Sequence, residues 1–249
     1  MNKPIIKVNA LSKVFNTQQN TTFQALKNVT FEVDEHDFIS IIGPSGCGKS
    51  TILRMLSGLE DITSGQIELS ESLSKEGFGF VFQDSVLFPW KTVRENVAFP
   101  LEIKGDPDGK GQERVDHLLG IVGLDKFADS YPRELSGGMR QRASIARSLS
   151  YDPNILLMDE PFGALDALTR DSLNVELHNI WSTTRKTILF VTHDIDEAVF
   201  LSTKVIVLSG SPTTVRRIVP IELGTRRELS IRSDPRFRSY ADELREMLE

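Results

Sequence analysis

The eight residues Gly43-Pro44-Ser45-Gly46-Cys47-Gly48-Lys49-Ser50 have the pattern Gly-x-x-x-x-Gly-Lys-Ser. Glycines allow a tight backbone turn in which successive N–H groups point inward at phosphate oxygens. The lysine then reaches the outer phosphates, and the Ser50 hydroxyl is a ligand for Mg²⁺. A purely structural glycine turn is the plain alternative, but every spaced position matches and both flanks fit. Two carboxylates, Asp159 and Glu160, follow an apolar run Ile155-Leu156-Leu157-Met158. Asp159 suits a metal ion held through water, and Glu160 suits the orientation or deprotonation of a hydrolytic water. His193 ends a second apolar run, where it can hydrogen-bond a terminal phosphate and sense its loss. Gln83 ends a third, where its carboxamide is suited to Mg²⁺ or an attacking water, or is only a loop residue.

These residues need strands that end together. Phe38-Ile39-Ser40-Ile41-Ile42 reads as a buried parallel strand, and Thr51-Ile52-Leu53-Arg54-Met55-Leu56 has helical spacing. Strand, glycine loop and helix together make the phosphate reading specific, with the helix dipole adding positive potential. The runs ending at Asp159-Glu160 and at His193 read as further parallel strands, whose C-terminal ends are where open α/β sheets bind ligands. The run from Gly77 that ends in Gln83, and Lys204 to Ser209, also read as strands. Upstream, Ile5–Val8 and Val29–Val33 read as two β segments around a polar loop from Asn16 to Thr22. Phe15 or Phe23 could stack on a base there, or serve only as a core or hairpin aromatic.

Between Ser85 and about Ser150 the pattern is helical. Leu87-Phe88-Pro89-Trp90 is an apolar cluster that either packs inward or is a docking surface. Lys104 to Gly111 is a surface loop with three glycines and Pro107, and Val115, Leu118, Leu119 and Val122 form one apolar helix face. Leu135-Ser136-Gly137-Gly138-Met139-Arg140-Gln141 opens another helix, with Ser136 as cap and two glycines leaving N–H groups for an anion. His36, His117 and His178 have no comparable context.

The whole chain bounds these readings. With 249 residues, 39% hydrophobic and 26% charged, it suits one large domain with a sizeable core. A net charge of -6 argues against bulk nucleic-acid binding, and nucleic acid is not an expected partner. Cys47, the single cysteine, excludes an internal disulfide or a multi-cysteine metal site and fits a reducing compartment. No signal peptide and no run near the roughly 18 apolar residues of a membrane span is read, so the chain is expected to be soluble or peripheral through a partner. From Ser211 onward eight arginines face seven acids, with a short helix expected over Tyr240–Leu248.

Taken together, the motifs resemble the ATP-binding subunit of an ABC transporter over essentially the whole chain. The phosphate loop with Thr51, Gln83 as Q-loop, Leu135 to Gln141 as signature, Asp159 and Glu160 as Walker B, Ala164-Leu165-Asp166 as D-loop and His193 as switch histidine carry the resemblance. It implies an α/β P-loop NTPase with a RecA-like core sheet, an N-terminal antiparallel β subdomain and a helical signature subdomain. A single ATPase domain over 1–249 is implied, with core and β parts at 1–84 and 151–210, helical part at about 85–150 and a tail at 211–249. ATP and Mg²⁺ are implied, the metal held by Ser50, Gln83 and Asp159. Glu160, His193 and Gln83 would be catalytic. ATP would lie on Phe15, Gly43 to Thr51, Ser136, Gly137, Gly138, Gln141 and Asp166, shared between two subunits packed head to tail.

Within the family, the segments Val81 to Trp90 and Thr192 to Ala198, with the short tail near Arg236-Phe237, are similar to the nitrate/sulfonate/taurine importer branch. The implied partners are a second ATPase subunit, integral membrane permease subunits docking near Gln83 to Trp90 and, indirectly, an extracytoplasmic solute-binding protein. The implied location is the cytoplasmic face of the plasma membrane. A soluble ATPase of the iron–sulfur cluster assembly type is also a single cassette and is the rival reading; an ATP-holding module without hydrolysis is disfavoured by Glu160 and His193.

Overall fold

The computed structural model describes residues 4–16, 21–71, 73, 77–106, 109–163 and 165–249. Five strands run parallel in one sheet: β3 (Phe38–Ile42), β5 (Phe78–Val81), β6 (Ile155–Asp159), β7 (Thr187–Val191) and β8 (Lys204–Ser209). With β9 (Thr214–Pro220), which pairs antiparallel to β8, the order is β5-β6-β7-β3-β8-β9. The smaller antiparallel sheet has the order β2-β1-β4, from β1 (Ile6–Asn16), β2 (Thr22–Val33) and β4 (Ser64–Leu69).

The apolar runs are continuous because both faces of the large sheet are covered. Alternate residues enter two different cores. Phe38 and Ile42 of β3, Leu156 and Met158 of β6, and Ile188 and Phe190 of β7 face one core with most of the helices. Ile39, Ile41, Ile155, Leu157, Leu189 and Val191 face the other, with the small sheet and α1 (Lys49–Leu56). Ser40, buried in mid-strand, accepts a hydrogen bond from the Ser202 hydroxyl at 2.6 Å.

Between β5 and β6 the chain forms α2 (Val93–Lys104), α3 (Gly111–Ile121) and α4 (Gly137–Leu149). A capping box starts α2: the Thr92 hydroxyl accepts from the Glu95 N–H and the Glu95 carboxylate accepts from the Thr92 N–H. Val115, Leu118, Leu119 and Val122 are buried together, as their spacing predicts. The chain continues through α5 (Ala167–Thr184), α6 (Ile195–Leu201) and α7 (Pro235–Leu248).

Three expectations need correction. β1 and β2 are far longer than Ile5–Val8 and Val29–Val33, and Asn16 pairs with Thr22 as their last rung; Thr17 to Asn20 lie outside the described residues. The region after Ser211 supplies an edge strand of the main sheet rather than only a tail. Its helix begins at Pro235, five residues before Tyr240, because Asp234 caps it by accepting from the Arg236 N–H and Pro235 fits the first turn.

Candidate active site

Four strand tips converge on one edge of the sheet: the loop 43–48 after β3, Gln83 beyond β5, Asp159 and Glu160 at the end of β6, and His193 beyond β7. β3 leads through α1 toward the β5 edge, whereas β7 leads through α6 to β8 on the far side of β3. This reversal opens the crevice in which such sheets bind ligands.

The phosphate loop is shaped by close approach. A Cβ on Gly43 would stand 2.9 Å from Cys47 Sγ and 3.0 Å from the Leu208 carbonyl oxygen. Gly48, at φ 96°, adopts the left-handed backbone that glycine tolerates best and leaves the N-terminus of α1 open. Lys49 is only 5% exposed, and its ammonium donates to the carbonyls of Gly43 at 2.9 Å and Pro44 at 3.1 Å. The lysine therefore closes the loop on itself and carries its charge within it. Cys47 is buried, and burial pushes its thiol above the usual range. It packs rather than reacts.

The Ser50 hydroxyl donates to Asp159 Oδ1 at 2.7 Å. Burial raises the Asp159 carboxyl above its ordinary range, only partly opposed by that hydrogen bond and by Arg54 and Lys49. A buried carboxylate beside a hydroxyl is a hard-oxygen pair that a cation would stabilise. Among the described residues no group of three or more His, Cys, Asp or Glu is placed to hold a metal. One carboxylate and one hydroxyl fit Mg²⁺, which keeps most of its shell as water and phosphate oxygen.

Glu160 sits just past the strand with φ 43°, a left-handed conformation costly for a glutamate. Its N–H donates to the Val191 carbonyl at 3.0 Å, which ties it to β7. Glu160 Oε2 lies 3.0 Å from His193 Nδ1, so the two tips meet through their side chains. Gln83 is exposed, two residues beyond the end of β5 rather than at it.

The glycine-rich helix start matches its sequence at the cap. Ser136 caps α4 by accepting from the Met139 N–H at 3.3 Å. Gly138 is buried, however, and a Cβ there would meet Thr169 Cγ2 at 2.6 Å; one on Gly137 would meet Leu165 at 3.6 Å. These glycines therefore lie against the segment around Asp166. Asp166 caps α5, accepting from the Thr169 N–H and hydroxyl, which lowers its carboxyl below the usual range. Ala164 lies outside the described residues. Gln141 is turned inward, 3% exposed, with its amide 3.5 Å from the Phe82 carbonyl beside Gln83. Thr51 is half-buried within α1.

Phe15 and Phe23 are directly paired across β1 and β2, so they share a face of the hairpin. Phe15 is half-buried with the Lys13 ammonium 4.9 Å from its ring centroid, and Phe23 is 49% exposed. β2 also reaches the phosphate loop, because a Cβ on Gly48 would meet Leu26 Cδ2 at 2.9 Å.

The Leu87–Trp90 cluster divides between its two readings. Leu87 packs on the core, while Trp90 is 70% exposed. Phe88 contacts the rings of Trp90 and Phe99, and together with Phe82, Val86, Phe99, Ile103 and Arg147 it lines an open apolar groove. Asn96, fully buried, fixes the segment by donating to the carbonyls of Phe88, Lys91 and Thr92 and accepting from the Phe88 N–H. Sequence reading missed Asn96; its only signal was an amide on the buried side of a helix. His178 is buried within α5 and hydrogen-bonds the Thr225 carbonyl, remote from the strand tips.

The sequence profile of the ABC transporter family matches residues 26–163. The chain is 46% identical over 221 residues to the aliphatic sulfonates import ATP-binding protein of Bacillus cereus, covering 88% of this chain and 86% of that protein. It is 44% identical over 247 residues to an ABC transporter ATP-binding protein of Methanocaldococcus jannaschii, covering 98% and 91%. Among solved structures it is similar to a dimeric ATP-binding cassette in a post-hydrolysis state with ADP and Pi. There the TM-score is 0.75 and the identity 34%, over 87% of this chain and 99% of that one. A cassette of Clostridium perfringens that is part of an ABC transporter complex gives a TM-score of 0.76 at 28% identity, over 88% and 89%. With its strand tips gathered around the phosphate loop and its similarity running nearly end to end, the chain belongs to the ABC transporter family as an ATP-binding subunit, and it is an ATPase.

Proposed function

We propose that this chain is the ATP-hydrolysing subunit of an importer in the nitrate/sulfonate/taurine branch, acting as a head-to-tail homodimer beneath integral membrane permease subunits. The meeting of Ser50 with Asp159 and of Glu160 with His193 at one sheet edge carries the hydrolytic part. The sulfonate-import relative from Bacillus cereus supports the branch, and the dimeric cassette supports the assembly. No helix of the described residues is long and apolar enough to cross a membrane, in keeping with attachment through a partner at the cytoplasmic face. The single ATPase domain, with its helical part at about 85–150, belongs to the same reading.

In this reading the backbone N–H groups of residues 43 to 51 and the Lys49 ammonium hold the β- and γ-phosphates. Ser50, Asp159 and Gln83 would hold Mg²⁺, which supplies charge stabilisation between those phosphates when bound. Adenine stacks on the face shared by Phe15 and Phe23. Glu160 orients the attacking water and takes its proton as the oxygen bonds to the γ-phosphorus and the bond to the β-phosphate oxygen breaks. Protonated Glu160 can then donate to His193 Nδ1, leaving Nε2–H for the γ-phosphate. Ser136, Gly137 and Gly138 of the second subunit cover that phosphate, with Gln141 holding their helix to the Gln83 segment and Asp166 at the subunit boundary. The apolar groove beside Phe88 receives the permease, and an extracytoplasmic binding protein selects the solute.

The test is to tag the chain, solubilise membranes in mild detergent and identify what is recovered in stoichiometric amount. A polytopic membrane protein is expected, and the complex should hydrolyse ATP. Recovery with soluble assembly proteins alone would overturn the import reading.

A further inference from the structure

Arg170 lies one turn into α5, four residues after Asp166, and its side chain is 26% exposed. Its Nη2 donates to the Leu165 carbonyl at 2.9 Å, immediately before Asp166. Its Nη1 stands 3.4 Å from Asp194 Oδ2, immediately after His193. On its third side, Nε lies 3.7 Å from Glu197 Oε1. Glu197 is 4% exposed, and its other oxygen accepts from the Thr192 hydroxyl at 2.6 Å. That hydroxyl in turn accepts from the Asp194 N–H at 3.0 Å, and Asp194 Oδ1 caps α6 through the Glu197 N–H at 3.1 Å. Both neighbours of His193 are thus tied, directly or through Glu197, to one guanidinium that also grips the residue before Asp166.

A guanidinium is planar, and its donors keep fixed angles to one another. A shift of the Leu165 carbonyl therefore turns the fork and moves Asp194 and Glu197 with it. The tie is also incomplete. Arg170 Nε and Glu197 Oε1 are both buried without a hydrogen-bond partner, yet they face each other at 3.7 Å. An ordinary N–H···O bond needs about 2.9 Å. The arrangement holds one unformed bond that a small rotation completes.

We propose that Arg170 is a positioning residue for hydrolysis: it links the seating of the Leu165–Asp166 segment to the turn that aims His193 at Glu160. The proposal rests on the reading above that a second subunit seats beside Asp166. Turnover then waits on subunit contact relayed through the Arg170 side chain.

The experiment uses the full chain with Arg170→Met, Arg170→Lys, Glu197→Gln and the double variant Arg170→Met/Glu197→Gln. Steady-state ATPase is measured with kcat and KM separated, alongside titration of a fluorescent ATP analogue and the thermal midpoint. Arg170→Met should lower kcat about 10- to 100-fold with KM and analogue affinity unchanged. Lysine should not restore it, since a point charge cannot make the fork. The double variant should be no worse than Arg170→Met, because the residues act as one unit. Wild-type kcat in Arg170→Met, full rescue by lysine, or additive losses would overturn the proposal. Should Arg170→Met fail to fold, Glu197→Gln and Arg170→Lys carry the same kcat-against-KM test. Failure of the functional reading would appear separately, as a Glu160→Gln chain that binds ATP yet stays monomeric, whatever the kcat of the Arg170 variants.

Discussion

On the proposed reading Lys49 serves loop and ligand in turn. Its ammonium bridges two carbonyls of its own loop, which keeps a nearly buried charge satisfied until phosphate arrives. Replacement by methionine keeps the stem and removes the charge. Charge-assisted hydrogen bonds contribute about 1.5–3 kcal/mol, so nucleotide affinity should fall at least about 10-fold, read by titration of a fluorescent analogue. Unchanged affinity would remove Lys49 from the site. Glu197 offers a second test of a buried charge. Burial, reinforced by Asp194 and opposed by the Thr192 hydroxyl, Arg170 and His193, pushes its carboxyl from 4.5 to about 7. The folded state therefore holds this proton more tightly than the unfolded chain does. The resulting stability is full below about pH 4.5 and is lost as pH rises through about 7, a change of up to about 3 kcal/mol. Glu197→Gln keeps an acceptor for Thr192 but cannot titrate, so relative to wild type it should gain stability between pH 5 and 8 in urea unfolding. Parallel pH curves for the two proteins would refute this assignment.

Among the elements, α6 depends most on its surroundings. Seven residues make a marginal helix in isolation. It is held at its start by Asp194 and at its end by Arg227, whose Nη1 donates to the Val199 carbonyl at 3.0 Å and the Phe200 carbonyl at 2.8 Å. Arg227 is 3% exposed, and burial pulls its guanidinium down to about 10. Arg227→Met should cost about 2–4 kcal/mol by orphaning two helix-end carbonyls, lowering the thermal midpoint by several degrees. A midpoint unchanged within error would mean that the tail does not support α6. None of this was legible in the sequence, where Arg227 is one arginine among eight in a mixed-charge stretch. The strands under the site were legible because two covered faces force continuous apolar runs at β3, β6 and β7. β9 was not: as an edge strand it exposes Arg216, Arg217 and Ile218, which blurs its pattern. α7 shows the same limit, since only Phe237, Ala241 and Leu244 are fully buried, with Tyr240, Met247 and Leu248 packed partly against the core. The ends of β1 and β2 were hidden by polar residues that serve backbone pairing rather than burial. Within the site, Ser50 in the first turn of α1 and the strand-tip positions of Asp159, Glu160 and His193 were readable, but the left-handed Glu160 and the Arg170 tie arise from contacts between distant segments.

For the whole molecule, the proposed division of phosphate-binding groups between two surfaces makes a partner a testable requirement. The loop at 43–48 packs against Leu26 and Leu208, with Ser50 just beyond it bonded to Asp159, whereas Gly137 and Gly138 pack against Leu165 and Thr169. On the proposed reading, these two surfaces, one on the core and one on the helical segment, complete each other when two copies meet head to tail around shared nucleotide. Hydrolysis would release that contact, so blocking it should make the contact durable. Glu160→Gln removes the proton acceptor while keeping the side-chain shape, and ATP should then shift the protein from about 27.9 kDa to about twice that mass in gel filtration with light scattering. ADP should leave it at the lower mass. Adding Ser136→Arg, which crowds the covering surface without altering the phosphate loop, should return the ATP sample to the lower mass while analogue binding persists. A Glu160→Gln protein that binds ATP yet remains monomeric would mean that turnover on this chain needs no second copy, and the division of the site between subunits would have to be abandoned.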